Sequence, residues 1–149
     1  MQFILPNMIT RKNAILLFSV VGIVISSYLA YAKLTSSELI CGSNSGCGAV
    51  QSSEYSEFLG VPLGVWGMAY YFFLFTIMYV KEGKIVNALK NVSVIWGMIF
   101  SSYLTYLEAF VINAYCLWCV ASFINIIIIG VLYFSGTRRK VENENNHLL

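Results

Sequence analysis

Residues 14–32, 61–80, 92–112 and 114–134 are continuous apolar stretches that contain no Asp, Glu, Lys or Arg apart from Glu108. Each approaches the roughly 20 residues that carry an α-helix across a hydrocarbon core. No water in a bilayer satisfies an open backbone, so these segments are predicted to be helical throughout, despite their many β-favouring Val, Ile, Tyr and Phe residues. The predicted fold is an all-α membrane protein, a four-transmembrane-helix bundle.

Polar positions divide the connections unequally. Residues 33–60 form the one long polar connection, and "CGSNSGCGAV" within it reads as turns that bring Cys41 and Cys47 together. In "SSEYSEFLGVP" a short interfacial helix is predicted: Ser53 caps it, Glu54 suits its first turn, Gly60 ends it and Pro62 prevents continuation. Tyr55, Phe58 and Leu59 then share an apolar face opposite Glu54 and Glu57, suited to covering the bundle. The competing reading is an irregular loop. "KEGKIVNALKN" is a short basic link, and little beyond Asn113 separates the last two spans, which predicts a tight hairpin. "VENENNHLL" lacks periodicity and is expected to be disordered. The chain therefore divides into an N-terminus (1–13), a membrane domain (14–135, with outer loop 33–60) and a tail (136–149).

Charge adds orientation. Arg11, Lys12, Lys81, Lys84, Lys90, Arg138, Arg139 and Lys140 all fall on one side of this topology, and Lys33 alone falls on the other. By the positive-inside rule both termini are cytoplasmic and the 33–60 loop faces outward. A net charge of +2 follows from this asymmetry and gives no support to nucleic-acid binding. Composition agrees: 58% of the 149 residues are hydrophobic, and mean hydropathy is +0.74. Arg11 and Lys12 followed by an apolar run and Ala30-Tyr31-Ala32 imitate a signal peptide, but the run exceeds the usual 7 to 15 residues and favours a retained anchor helix.

The chemistry sits in the cysteines. All four, Cys41, Cys47, Cys116 and Cys119, map to the outward face, where disulfides persist. The single histidine, His147, lies in the tail, which removes a histidine-based acid–base or metal site. One reading staples the bundle with disulfides; a second is a four-cysteine zinc site, disfavoured by unequal spacing and placement, so that no metal is expected. The third is a redox relay. A Cys116-x-x-Cys119 disulfide closes too small a loop to restrict the unfolded chain much, whereas that spacing at a helix start suits exchange, because unpaired N–H groups favour a thiolate. Cys119 would lie about one turn deeper than Cys116, beside Trp118, Ser122 and Phe123. With no haem or iron–sulfur ligand set, a membrane quinone is the acceptor left by elimination.

The order of "CGSNSGC", "AVQSSEYSEFLGVPLGVWGMAYY" and "YLEAFVINAYCLWC" resembles the vitamin K epoxide reductase family in its microbial form, from the first span to the fourth. The DsbB type of quinone-linked thiol oxidase has the reverse order, with CxxC in the first outer loop. The resemblance implies a membrane thiol:quinone oxidoreductase of the cell (plasma or inner) membrane that supports disulfide formation. It implies that Cys41 exchanges with a thioredoxin-fold (DsbA-like) protein, that Cys47 passes electrons inward through a transient disulfide with Cys116, and that Cys119 meets the quinone. Ser53 matches a loop serine linked to activity in the family. The quinone, of the menaquinone, ubiquinone or vitamin K type, is expected against Cys119, Trp118, Ser122, Phe123 and Phe58. Phe123 stands where vertebrate enzymes carry a tyrosine, so no hydrogen bond to the quinone is transferred there. No thioredoxin-like domain follows the fourth helix, so a separate partner is expected. Two alternatives remain, a quinone-epoxide reductase and a non-catalytic membrane protein with structural disulfides.

Three further patterns have two readings each. Ser101, Thr105 and Glu108 share a face of the third span, with Glu108 either a functional intramembrane acid or a carboxylate reaching the headgroups. Gly60, Gly64 and Gly67 suit close helix contact rather than ligand binding. Trp66, Trp96 and Trp118 suit interface anchoring or packing.

Overall fold

The computed structural model describes residues 5–41 and 46–147; residues 1–4 of the expected N-terminus, residues 42–45 of the expected turn and residues 148–149 of the tail lie outside the described residues. Helices dominate: α1 (Leu5–Leu34), α2 (Cys47–Ser52), α3 (Leu63–Tyr79), α4 (Lys84–Leu107) and α5 (Leu117–His147). Three stretches, Thr10–Leu34, Lys84–Ile112 and Leu117–Arg138, are long and apolar enough to cross a membrane, and α3 is a shorter apolar helix of 17 residues.

The bundle is organised around α1 and α5. Helix α1 packs along α3 and α5, and α4 leans on α5, while α3 and α4 meet sparsely and leave a gap. A core of Ile15, Tyr71, Leu74, Met78, Val94, Ile126 and Ile129 joins them. Gly64 makes the α1–α3 contact close: a Cβ there would fall 2.5 Å from the Ala30 nitrogen. Gly60 acts differently, since its surroundings are open and its φ is +74°. Leu17, Phe72, Ile99 and Val131 point outward, as expected where the surroundings are as apolar as the interior.

The long loop departs from expectation. No helix spans residues 53–60; α2 lies earlier, and Ser53 closes it by donating from Oγ to the Val50 carbonyl at 2.7 Å. A 3-10 turn (Glu54–Ser56) leads into a two-stranded hairpin, β1 (Glu57–Phe58) and β2 (Val61–Pro62), pairing Glu57 with Pro62 and Phe58 with Val61. Its two turn residues, Leu59 at φ 56° and Gly60 at φ 74°, both have positive φ, as a two-residue I′ turn requires. The segment is too short to recover the cost of helix nucleation, and it is held from outside by Lys33. The Lys33 ammonium donates to the Gln51 carbonyl and Ser56 Oγ and pairs with Glu57 at 3.2 Å.

Helix α5 also continues to His147, in place of the disordered tail expected from residue 136. Propagating a formed helix is cheap, and no proline stops it. At the end of the bundle where α1 begins, Lys12 stands 5.4 Å over the Tyr79 ring, Lys90 reaches the Val80 carbonyl at 3.4 Å, and Arg11 approaches Gly136. The cysteines occupy the opposite end.

Candidate functional site: two cysteine pairs between a polar groove and an apolar cavity

Local backbone geometry creates the inner pair. Helix α4 widens into a π-helical turn, Glu108–Ile112, and Asn113 ends it in the left-handed region at φ 52°. The chain reverses at once into α5, where the Cys116 carbonyl accepts the first helical bond from Val120 N–H at 3.0 Å. Cys116 is thus the N-terminal cap and is fully buried at 0% exposure. The neighbouring Cys119 thiol, with the N–H groups of Cys119 and Trp118, holds the Cys116 thiol down at about 7; burial and the nearby Glu108 carboxyl oppose this. Cys116 and Cys119 are free thiols.

The outer pair is a disulfide, Cys41–Cys47, with Cα atoms 6.4 Å apart. Cys47, 2% exposed, packs with Val50 and Cys116 in one apolar cluster, to which Cys41, Cys119, Leu29 and Trp118 add contacts. Several tethers press the loop onto the helices. Trp118 Nε1–H donates to the Ile40 carbonyl at 3.2 Å, Ile40 N–H donates to Tyr28 Oη at 3.0 Å, and the Tyr28 and Trp118 rings lie 4.8 Å apart. Gln51 Nε2 donates to the Leu29 carbonyl at 3.3 Å.

Two cavities flank the sulfurs. A polar groove of about 760 Å³ runs beside Cys41 and Cys47 and is edged by Lys33, Glu38 and Glu57. An apolar cavity of about 520 Å³ occupies the gap between α3 and α4, with Trp66, Trp96 and Phe100 in its walls and Cys119 at its inner side. That volume lies within the range of sites for small organic ligands.

Of the residues expected at the quinone, Cys119, Ser122 and Phe58 line this cavity, and Ser53 joins them. Phe58 stands edge-on to Trp66 at 5.9 Å. Trp118 and Phe123 lie outside the lining. Positions 122 and 123 lie on either side of 119 around the helix, and the cavity is on the side of Ser122, while Trp118 turns toward Tyr28. Ser101, Thr105 and Glu108 all line the cavity, and Glu108 is turned inward with 4% exposure rather than outward to headgroups.

Two residues escaped the sequence reading. The Tyr71 hydroxyl, on the cavity wall, lies 3.1 Å from both Ser122 Oγ and the Ser122 carbonyl. Asn125, also bonded to Tyr71, donates from Nδ2 to the Phe18 carbonyl at 3.0 Å. Asn125 had a usable signal, as the one carboxamide inside the 114–134 stretch.

An apolar helical bundle that holds one disulfide and one dithiol in a common cluster defines a membrane thiol–disulfide protein. Residues 13–134 match the vitamin K epoxide reductase family, and the chain belongs to that family. It is an oxidoreductase of that type, and the family is associated with quinones.

Proposed function

We propose that this protein oxidises the dithiol of a separate thioredoxin-fold protein outside the cytoplasm and passes the electrons to a membrane quinone, sustaining disulfide formation. All of α1, α3, α4 and α5 cross the cell membrane, both termini are cytoplasmic, and the cysteines face outward. The grouping of Lys12, Lys90 and Arg11 at the end away from the sulfurs supports this orientation. The observation that carries the reading is the position of the sulfurs, with Cys41 and Cys47 on a polar groove and Cys119 on an apolar cavity.

The partner's thiolate attacks Cys41; its second thiol then resolves the mixed disulfide, leaving the partner oxidised and Cys41 and Cys47 reduced. Cys47 next attacks Cys116 of an oxidised inner pair, releasing Cys119 as a thiol. Attack of Cys41 on Cys47 then restores the outer disulfide and leaves Cys116 and Cys119 as a dithiol. The observed state, outer pair joined and inner pair free, corresponds to the end of that transfer. The quinone, when bound, accepts two electrons and two protons. Cys119, from the cavity wall, delivers the electron pair, and Cys116 then closes the inner disulfide. Trp66, Trp96 and Phe100 suit a planar ring, and the mutually bonded hydroxyls of Tyr71 and Ser122 line the same cavity as Cys119. Ser53, at the end of α2, holds the loop over this cavity.

The test uses purified protein, a reduced thioredoxin-fold protein, and a panel of ubiquinone, menaquinone, vitamin K quinone and its epoxide, followed by absorbance. Reduction of a quinone that depends on both the reduced partner and Cys119 is the expected outcome. Reduction of the epoxide alone would replace this reading with a quinone-epoxide reductase, and no reduction at all would leave a structural protein.

A further inference from the structure

Glu108 is a carboxyl group at the end of an apolar span, 4% exposed, and no Lys, Arg or His among the described residues forms an ion pair with it. Its Oε2 accepts the Cys116 N–H at 3.1 Å, and it lines the same cavity as Cys119, which lies about one turn into the helix that Cys116 caps. Those two cysteines are the titratable groups that face it among the described residues. The π-helical turn that starts at this residue places it there: the Glu108 carbonyl accepts the N–H groups of Asn113 and Ala114, the latter at 3.1 Å. A carboxyl group is a costly way to satisfy a single N–H, since a neutral amide would do so without burying an ionisable group.

The reaction has a need that matches this cost. Two protons leave the inner dithiol as its disulfide forms, in a site whose cavity walls are largely apolar. The nearest hydroxyl on the same face is already committed, with Thr105 Oγ1 donating to the Ser101 carbonyl at 3.0 Å.

We propose that Glu108 is the catalytic base of the inner pair, taking the S–H proton of Cys119 and returning it to the acceptor across the cavity. The inference rests on the reading of Cys119 as the electron donor. The balance is as follows. Cys116 enters as thiolate, its proton already released to water. Glu108 takes the second proton from Cys119, the two sulfurs form the S–S bond, and their electron pair goes to the quinone. The carboxylic acid of Glu108 then supplies one proton to the reduced acceptor, and water supplies the other.

The deciding measurement needs no quinone. In protein whose Cys41–Cys47 disulfide is intact and whose inner pair is reduced, the rate of Cys119 alkylation by N-ethylmaleimide is followed by mass spectrometry for wild type, Glu108→Gln and Glu108→Asp. Glu108→Gln keeps an acceptor for the Cys116 N–H but cannot take the proton, so alkylation is expected to slow by about tenfold or more, and quinone turnover by about a hundredfold, with KM for the quinone little changed. Glu108→Asp retains a carboxyl and is expected to recover at least part of both rates. Alkylation of Glu108→Gln at the wild-type rate would overturn the inference, as would equal slowing in the Gln and Asp variants. A wild-type protein that alkylates rapidly at Cys119 yet reduces no quinone would instead overturn the proposed function, and the alkylation comparison would still decide the role of Glu108.

Discussion

The two cysteine pairs are built on opposite principles. Cys41 lies in the connection after α1 and Cys47, six residues on, opens the short helix α2, in a segment whose shape depends on external tethers from Lys33, Tyr28, Gln51 and Trp118. Cys116 and Cys119 belong to the start of a helix, where backbone N–H groups and the reversal after Asn113 fix their positions locally. The outer pair borders a polar groove and the inner pair an apolar cavity, yet Cys47 and Cys116 are both buried in one cluster. On the proposed relay, the contrast gives each pair its own side: the outer pair borders a groove suited to a protein in water, and the inner pair a cavity suited to a lipid-soluble ring.

The strongest way to break that contrast is to remove the inner donor. Cys119→Ser is expected to lower partner-dependent quinone reduction by roughly a thousandfold or more, measured by turnover. If turnover survives, the inner pair has no catalytic part.

A second change sharpens the electrostatic side. With the Cys116 thiol at about 7, its thiolate fraction rises through neutral pH, so the rate of the reverse transfer, in which reduced Cys116 attacks Cys47 of the outer disulfide, should rise about tenfold per unit below pH 7 and level off above it. The ultraviolet absorbance of the thiolate should titrate at the same place. Cys119→Ala removes the largest lowering influence and is expected to move that midpoint upward, toward the ordinary thiol value of about 8.5. An unmoved midpoint would assign the effect to the helix N-terminus alone.

Support of the scaffold comes next. Gly64→Ala places a Cβ against the Ala30 backbone and is expected to destabilise the bundle by about 1–3 kcal/mol, read as a lowered thermal midpoint in detergent. The smallest expected effect is at the loop. Lys33→Met removes an exposed ion pair with Glu57 and two hydrogen bonds, for a loss of about 1 kcal/mol and faster proteolysis within residues 35–60.

Much of this was legible in the sequence where one signal acts over many residues. Apolar runs of membrane length became helices, and the spacing of Cys116 and Cys119 at the edge of one run points to exchange chemistry. The hairpin at Glu57–Pro62 was not legible, because Tyr55, Phe58 and Leu59 mimic a helical stripe and Leu59 gives no sign of a positive φ. Nor was the rotation of α5, which is set by packing on α1 and α4 and decides that Ser122 meets the cavity while Trp118 and Phe123 do not. The inward aim of Glu108 depends on a π-helical turn that no pattern in "YLEAFVINAY" announces.

The relay itself is tested most directly by disulfide mapping of the Cys119→Ser protein under nonreducing conditions. With Cys119 gone, the Cys116 thiolate can attack Cys47 but cannot be resolved by its neighbour, so the account expects a peptide pair joined through Cys47 and Cys116, with Cys41 released as a free thiol. Recovery of the Cys41–Cys47 peptide alone, with Cys116 free under every redox condition, would contradict it.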